Sequence, residues 1–120
     1  MSALPFSPFR EAGDVVYFSG QGGFDPATGR LAGETIEEQT AQTLRNLAAL
    51  LERAGCSAGD VVSCLVHLSD LSLFARFNAV YAQHFTEPRP ARTTVGAPLV
   101  MGMLVEITAV AHRRPAAAQR

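Results

Sequence analysis

Leu104-Val105-Glu106-Ile107-Thr108-Ala109-Val110-Ala111 is a β-rich run whose apolar residues do not keep to one side. Neighbouring side chains of a strand point to opposite faces, so Val105, Ile107, Ala109 and Ala111 share one face. Leu104, Glu106, Thr108 and Val110 share the other. Val15-Val16-Tyr17-Phe18 and the run Val61 to Leu68 are two-sided in the same way, as strands covered on both faces are. The chain has to supply those covers, and it has only two helical segments with which to do so.

The first helix opens at Thr35, whose hydroxyl can take the amide of Glu38 while Glu38 reaches back in a capping box. Ile36, Leu44, Leu47, Ala48 and Leu51 fall on one helical stripe, and Gly55 ends it. The second helix is capped by Asp70 or Ser72 and buries Phe74, Phe77, Tyr81 and Phe85. Pro88 and Pro90 stop it. Strands are predicted over Asp14 to Gly20, Arg30 to Ala32, Val61 to Leu68, Thr93 to Ala97 and Met103 to His112, with Asp25-Pro26-Ala27-Thr28-Gly29 as a hairpin turn. The tail from Pro115 to Arg120 is expected to fray. The order is β-β-α-β-α-β-β, an α+β pattern in which two helices so connected lie on one face of the sheet. The other face is then a large apolar surface, and other copies of the chain are expected to cover it.

The chain has 120 residues, 48% hydrophobic and 18% charged, which suits one folded domain rather than a disordered one. A formal net charge of -1 without a basic stripe gives no electrostatic reason to expect nucleic acid or an anionic membrane as partner. The start MSALPFSPF lacks the basic and long apolar regions of a signal peptide, and no apolar stretch is long enough for a bilayer. Cys56 and Cys64 read as small, buried or half-buried residues of a reducing compartment rather than a disulfide framework, so a cytoplasmic location is expected.

His67, His84 and His112 lack the short-spaced pairing of zinc ligands, and no metal or other cofactor is expected. His67, Ser69 and Asp70 are contiguous and cannot converge on one proton path as a triad does. Gly20-Gln21-Gly22-Gly23 precedes a hairpin rather than a helix, so its glycines serve a close backbone approach rather than a phosphate. Arg92 follows the stiff approach Pro88-Arg89-Pro90-Ala91 and shares a strand face with Thr94. Its guanidinium fork suits a small carboxylate, though the residues alone favour a surface arginine in a structural ion pair. Glu106, acidic within an apolar strand, is either a solvent-facing side chain or a proton handler.

Ser19-Gly20-Gln21, Asp25 to Gly29, Phe77-Asn78-Ala79-Val80-Tyr81 with Phe85, Pro90-Ala91-Arg92-Thr93-Thr94-Val95 and Val105-Glu106-Ile107 together resemble the RidA/YjgF family, the reactive-intermediate deaminases formerly labelled L-PSP endoribonuclease-like. The resemblance runs from Val15 to Ala111 and implies one such domain over residues 1–120. It implies a fold like the Bacillus type of chorismate mutase: a six-stranded sheet, two helices on one face, and a homotrimer with clefts between subunits. It further implies hydrolysis of enamines or imines, such as 2-aminoacrylate and 2-iminobutanoate, to 2-oxo acids and ammonia. Carried over by position, Arg92 holds the substrate carboxylate and Glu106 positions or activates water, while backbone groups near Arg92 and Thr94 meet the substrate nitrogen. Ser19 and Asn78 line or support the cleft. Thr94 stands where the best-known deaminases have Cys, Phe9 stands where they have a cleft Tyr, and the segment Gly96 to Gly102 is reshaped. Those departures keep open a protein that binds small carboxylates, or regulates, without fast turnover; RNA cleavage, the older label, fits the balanced charge poorly.

Overall fold

The computed structural model describes residues 4–114. Its principal elements are β1 (Phe9–Ala12), β2 (Val15–Phe18), α1 (Ile36–Arg53), β3 (Val61–Leu68), α2 (Phe74–His84), β4 (Ala91–Gly96) and β5 (Val105–His112). The strands form one sheet in the order β1-β2-β5-β3-β4. Only β3 and β4 run parallel, with α2 as their crossover.

The two-sided reading of the strands holds. Val16 and Phe18 of β2, Cys64, Val66 and Leu68 of β3, and Val105, Ile107, Ala109 and Ala111 of β5 are all buried in the core. On the opposite face Tyr17, Leu65 and Val95 are 53%, 38% and 37% exposed. Both helices therefore cover one face, and the apolar groups of the other are open in the single chain.

Helix α1 forms as its sequence dictates. Thr35 accepts the Glu38 amide while its own N–H donates to the Glu38 carboxylate, closing the capping box. Gly55, at a left-handed φ of 73 to 75° shared with Gly29 of the earlier turn, ends it, and the Cys56 amide bonds back to the Leu51 carbonyl. Ile36, Leu44, Leu47 and Leu51 are buried as expected. Ala48 is exposed instead, and Gln39, Thr40 and Thr43 occupy interior positions. Gln39 is buried because its side chain works at both ends: its amide nitrogen donates to the Gly33 carbonyl and its oxygen accepts the Leu104 amide.

Two expectations need correction. The sheet has five strands among the described residues rather than six. Arg30 to Ala32 forms no strand; only a single bridge joins Phe24 and Leu31 beyond the Asp25 to Gly29 turn. Backbone bonds from Asp25 to the Arg30 carbonyl and from Ala32 to the Gly23 carbonyl flank that bridge, but the next residue whose backbone could extend the ladder, Gln21, bonds Ile107 of β5 through both its N–H and its carbonyl. The Gly22 and Phe24 carbonyls face away from Leu31 and accept from the Asn46 amide on α1, and Gly23 packs against that helix, where a Cβ would stand 2.6 Å from the Gln39 carbonyl oxygen. The other strand of the N-terminal hairpin is β1, which pairs with β2 through a two-residue Gly13-Asp14 turn with Gly13 at φ 62°. The tail expected to fray, from Pro115, lies outside the described residues. Cys56 and Cys64 are half-buried and buried free thiols. No helix among the described residues is long and apolar enough to cross a membrane.

Arg76 of α2 donates to both carboxylate oxygens of Glu37 on α1 at 2.7 Å. This bidentate pair lowers the Glu37 carboxyl from 4.5 to about 2. A depressed pKa contributes stability that is present above pH 4.5 and lost as pH falls toward about 2. The pair is solvent-exposed, so its contribution is small and screened by salt. Glu37→Gln is expected to lower the melting temperature slightly at neutral pH and low salt. That difference from the wild type should close at pH 2 to 3, as measured by calorimetry across pH.

Candidate functional site

Arg92 enters the sheet at β4, the edge strand, and α2 decides what it meets. By register Arg92 pairs with Cys64, and Cys64 with Ala109, both in the core, so the arginine stands on the helix-bearing face. There its guanidinium carbon lies 5.6, 5.4 and 4.7 Å from the ring centres of Phe74, Phe77 and Tyr81. Three positions of the predicted helical stripe thus serve as the bed of a cation, each a favourable contact with the negative face of a ring. Phe74, predicted to be buried, is 44% exposed and forms the outer end of that bed.

Arg92 is half-buried, and none of the ion pairs among the described residues includes it. Beside it opens a cavity of about 290 Å³ lined by Asn78, Tyr81, Ala82, Arg89, Pro90 and Arg92. Arg89 is committed, donating to the Phe85 carbonyl and to Glu87. Asn78 Oδ1, the Tyr81 hydroxyl and Thr94 Oγ1 are buried without a hydrogen-bond partner. Burial, and next the neighbouring Cys64 thiol, push the Tyr81 phenol up, so it stays protonated and able to donate. A fixed cation with neutral hydrogen-bonding groups around it is an anion site in its chemistry.

Glu106 belongs to a second cavity. It pairs in register with His67, which pairs with Val95, so its side chain rises from the helix-free face. Its Oε1 is 4.0 Å from His67 Nδ1. The carboxylate lies over Gly20, where a Cβ would stand 2.6 Å from its carboxyl carbon. The glycine permits that approach. The cavity around it, about 430 Å³, is bordered by Ser19, Gly20, Gln21 and Glu106 on one side and by a set of apolar side chains on the other. It forms where the chain leaves β2 and rejoins β5 only through a bridge between Gln21 and Ile107.

A family model described as Endoribonuclease L-PSP matches residues 1–113. The chain is 43% identical over 110 residues to a RutC family protein of Saccharolobus solfataricus, covering 91% of this chain and 87% of that one. It is 37% identical over 112 residues to the 2-iminobutanoate/2-iminopropanoate deaminase of Homo sapiens, covering 92% and 82%. The crystal structure of RidA from Psychrobacter superposes with a TM-score of 0.88 at 40% identity, covering 93% of this chain and 91% of that one. This chain belongs to the RidA/YjgF family. The YjgF gene product of E. coli superposes likewise, with a TM-score of 0.86 at 36% identity over 92% and 89% of the two chains.

The residues matched to the RidA/YjgF pattern thus divide into two groups. Arg92 and Asn78 line one cavity, and Thr94 shares the Arg92 face. Ser19 and Glu106 line the other. Arg92 and Glu106 stand on opposite faces of one sheet, so a single copy does not bring them together. Phe9 joins neither cavity; its ring packs 5.7 Å from that of Phe18 and lies under the Arg53 guanidinium. The N-terminal aromatic at the Glu106 cavity is Phe6. Tyr81, read from the sequence only as core, is the closest ring to Arg92. A tyrosine on a buried stripe needs a partner for its hydroxyl, and that requirement was the available signal.

Proposed function

We propose that this chain is an imine/enamine deaminase of the 2-iminobutanoate type, working as a homo-oligomer, with three copies as the family resemblance implies. The observation that carries this reading is the half-buried Arg92 guanidinium, bedded on three rings beside a small cavity with no carboxylate partner among the described residues. It is the shape of a receptor for a small carboxylate. Arg92 holds the substrate carboxylate, and the Thr94 hydroxyl and Asn78 supply neighbouring polar contacts. Glu106 from a second copy takes a proton from water as its oxygen adds to the imine carbon, and that proton passes to the nitrogen as the C=N π bond opens, giving a neutral carbinolamine. The carbinolamine's hydroxyl proton is then carried by the same carboxylate to the amino nitrogen as the C–N bond breaks, so ammonia leaves and the C=O of the 2-oxo acid forms. Relatives named 2-iminobutanoate/2-iminopropanoate deaminase in mouse, cattle and human support the same chemistry.

Two features favour assembly. β4, which bears Arg92, is an edge strand with one unpaired side, and edge strands recruit partners. The helix-free face carries the exposed Tyr17, Leu65 and Val95. Joining copies through these surfaces offers a way for an Arg92 to meet an Glu106 that its own sheet keeps apart. A carboxylate-binding protein without turnover is the second reading, favoured by the separation of Arg92 from Glu106 within one chain. The net charge of -1 disfavours RNA as substrate.

The deciding assay generates 2-iminobutanoate enzymatically in the presence of the protein and follows 2-oxobutanoate. Release faster than the spontaneous rate supports the deaminase; calorimetric binding of 2-oxobutanoate without acceleration supports the second reading. Light scattering at micromolar concentration is expected to give a mass of about three chains, and a stable monomer would remove the shared site.

A further inference from the structure

The cavity beside Glu106 is several times larger than a three-carbon imine fills, at about 430 Å³. Its polar rim is largely committed already. The Ser19 hydroxyl donates to the Ser7 carbonyl, the Gln21 amide to the Ser19 carbonyl, and the Asn46 amide to the carbonyls of Gly22 and Phe24. Among the described residues Glu106 has only His67, at 4.0 Å. One reactive polar point therefore faces a wall of hydrocarbon: Phe6, Leu50, Val100, Met101 and Met103. Part of that wall is unusually exposed for its chemistry, with Phe6, Val100 and Met101 59%, 66% and 72% open to solvent. Met101 stands at φ 54°, a left-handed backbone that side-chain-bearing residues seldom adopt, and Gly102 follows at 74°. The single 3₁₀ turn from Val100 to Gly102 so holds two apolar side chains at the cavity mouth.

We infer that this wall is the subsite for the substrate's side chain, and that the chain prefers imines of larger apolar amino acids to those of alanine or 2-aminobutyrate. The inference rests on the deaminase reading and extends it to a substrate class. With the imine carbon at Glu106, a short substrate leaves the wall wet, and each added methylene removes apolar surface from water. Such burial is worth about fourfold in specificity per methylene. Met101 and Phe6 are the specificity-determining residues. Both are exposed, so altering them leaves the core intact.

The test measures kcat/KM for imines generated from alanine, 2-aminobutyrate, norvaline and norleucine, and in parallel the Kd of the matching 2-oxo acids by calorimetry. Both series are expected to improve with chain length by about fourfold per step. Met101→Asp places a charge on the wall and should bring the norleucine to 2-aminobutyrate ratio to within about twofold, while Phe6→Ala should shift the optimum to bulkier side chains. Turnover that is flat across the series, or a ratio unchanged in Met101→Asp, overturns the subsite and leaves the deaminase standing. If no imine is turned over, the deaminase reading fails, and the Kd series still decides: rising affinity upholds the subsite and flat affinity overturns it.

Discussion

Arg92→Ala should lower kcat/KM for 2-iminobutanoate by about 10²- to 10³-fold and weaken 2-oxobutanoate binding by a similar factor. Removing one partner of a desolvated, hydrogen-bonded charge pair costs about 2–5 kcal/mol, which sets that range. The informative variant is Arg92→Lys, which keeps the charge. A lysine offers a point charge rather than a planar fork and cannot lie flat on rings as the guanidinium does 4.7 Å from Tyr81. Lysine should therefore recover only a small part of the lost activity. Full recovery would mean that charge alone matters and that the bed of Phe74, Phe77 and Tyr81 has no part in aiming the fork. Circular dichroism should be unchanged in either variant and the melting temperature should fall by no more than a few degrees, since Arg92 closes no ion pair among the described residues. The stacking lost in Arg92→Ala is worth about 1 kcal/mol.

What could be read in advance follows from which signals are local. The Thr35 capping box, the Gly55 stop and the two-faced runs of β3 and β5 depend on a few neighbouring residues, and all hold in the structure. β1 was missed because Phe9-Arg10-Glu11-Ala12 has almost no apolar alternation, three of its four residues being exposed. Its signal lay in the next two residues, Gly13-Asp14, a hairpin turn that reads equally well as the start of β2. Arg30 to Ala32 failed for the opposite reason. The turn before it formed as predicted, but Gln21, the next residue whose backbone could extend the ladder, bonds Ile107 of β5 through both its N–H and its carbonyl. Local patterns do not reveal such a competitor.

The same limit explains the site. Arg92 and Glu106 sit on different strands, and which faces they share depends on how each strand registers against β3. Arg92 aligns with Cys64 and Glu106 with His67, three positions apart. An odd offset on a pleated strand means opposite faces. Each residue could be proposed for chemistry from its sequence context, but their separation could not. Once the register is known, a lone copy is an incomplete site, and the open apolar face that the two-sided strands foretold becomes part of the same problem.

Glu106→Gln is expected to reduce kcat by about 10²- to 10⁴-fold, the usual contribution of a positioned general base, with little change in the affinity for 2-oxo acids. Glutamine keeps the shape and gives up only the proton acceptor. Gly20→Ala provides an independent route to the same end. A Cβ there would stand 2.6 Å from the Glu106 carboxyl carbon and 2.7 Å from an oxygen, so the carboxylate must swing away. It stays charged and present but misplaced, and a displacement of about 1 Å from the working position can cost 10²-fold. Gly20 has no positive φ, so alanine adds no backbone strain, and the fold should tolerate it. Loss of kcat in both variants with retained binding would assign proton transfer to the Glu106 carboxylate at its present position. Loss in neither would leave Glu106 a structural partner of His67 and place the base elsewhere. Loss in Glu106→Gln alone would mean that the carboxylate reaches the substrate from more than one position, so that its charge and not its placement over Gly20 is what the reaction needs.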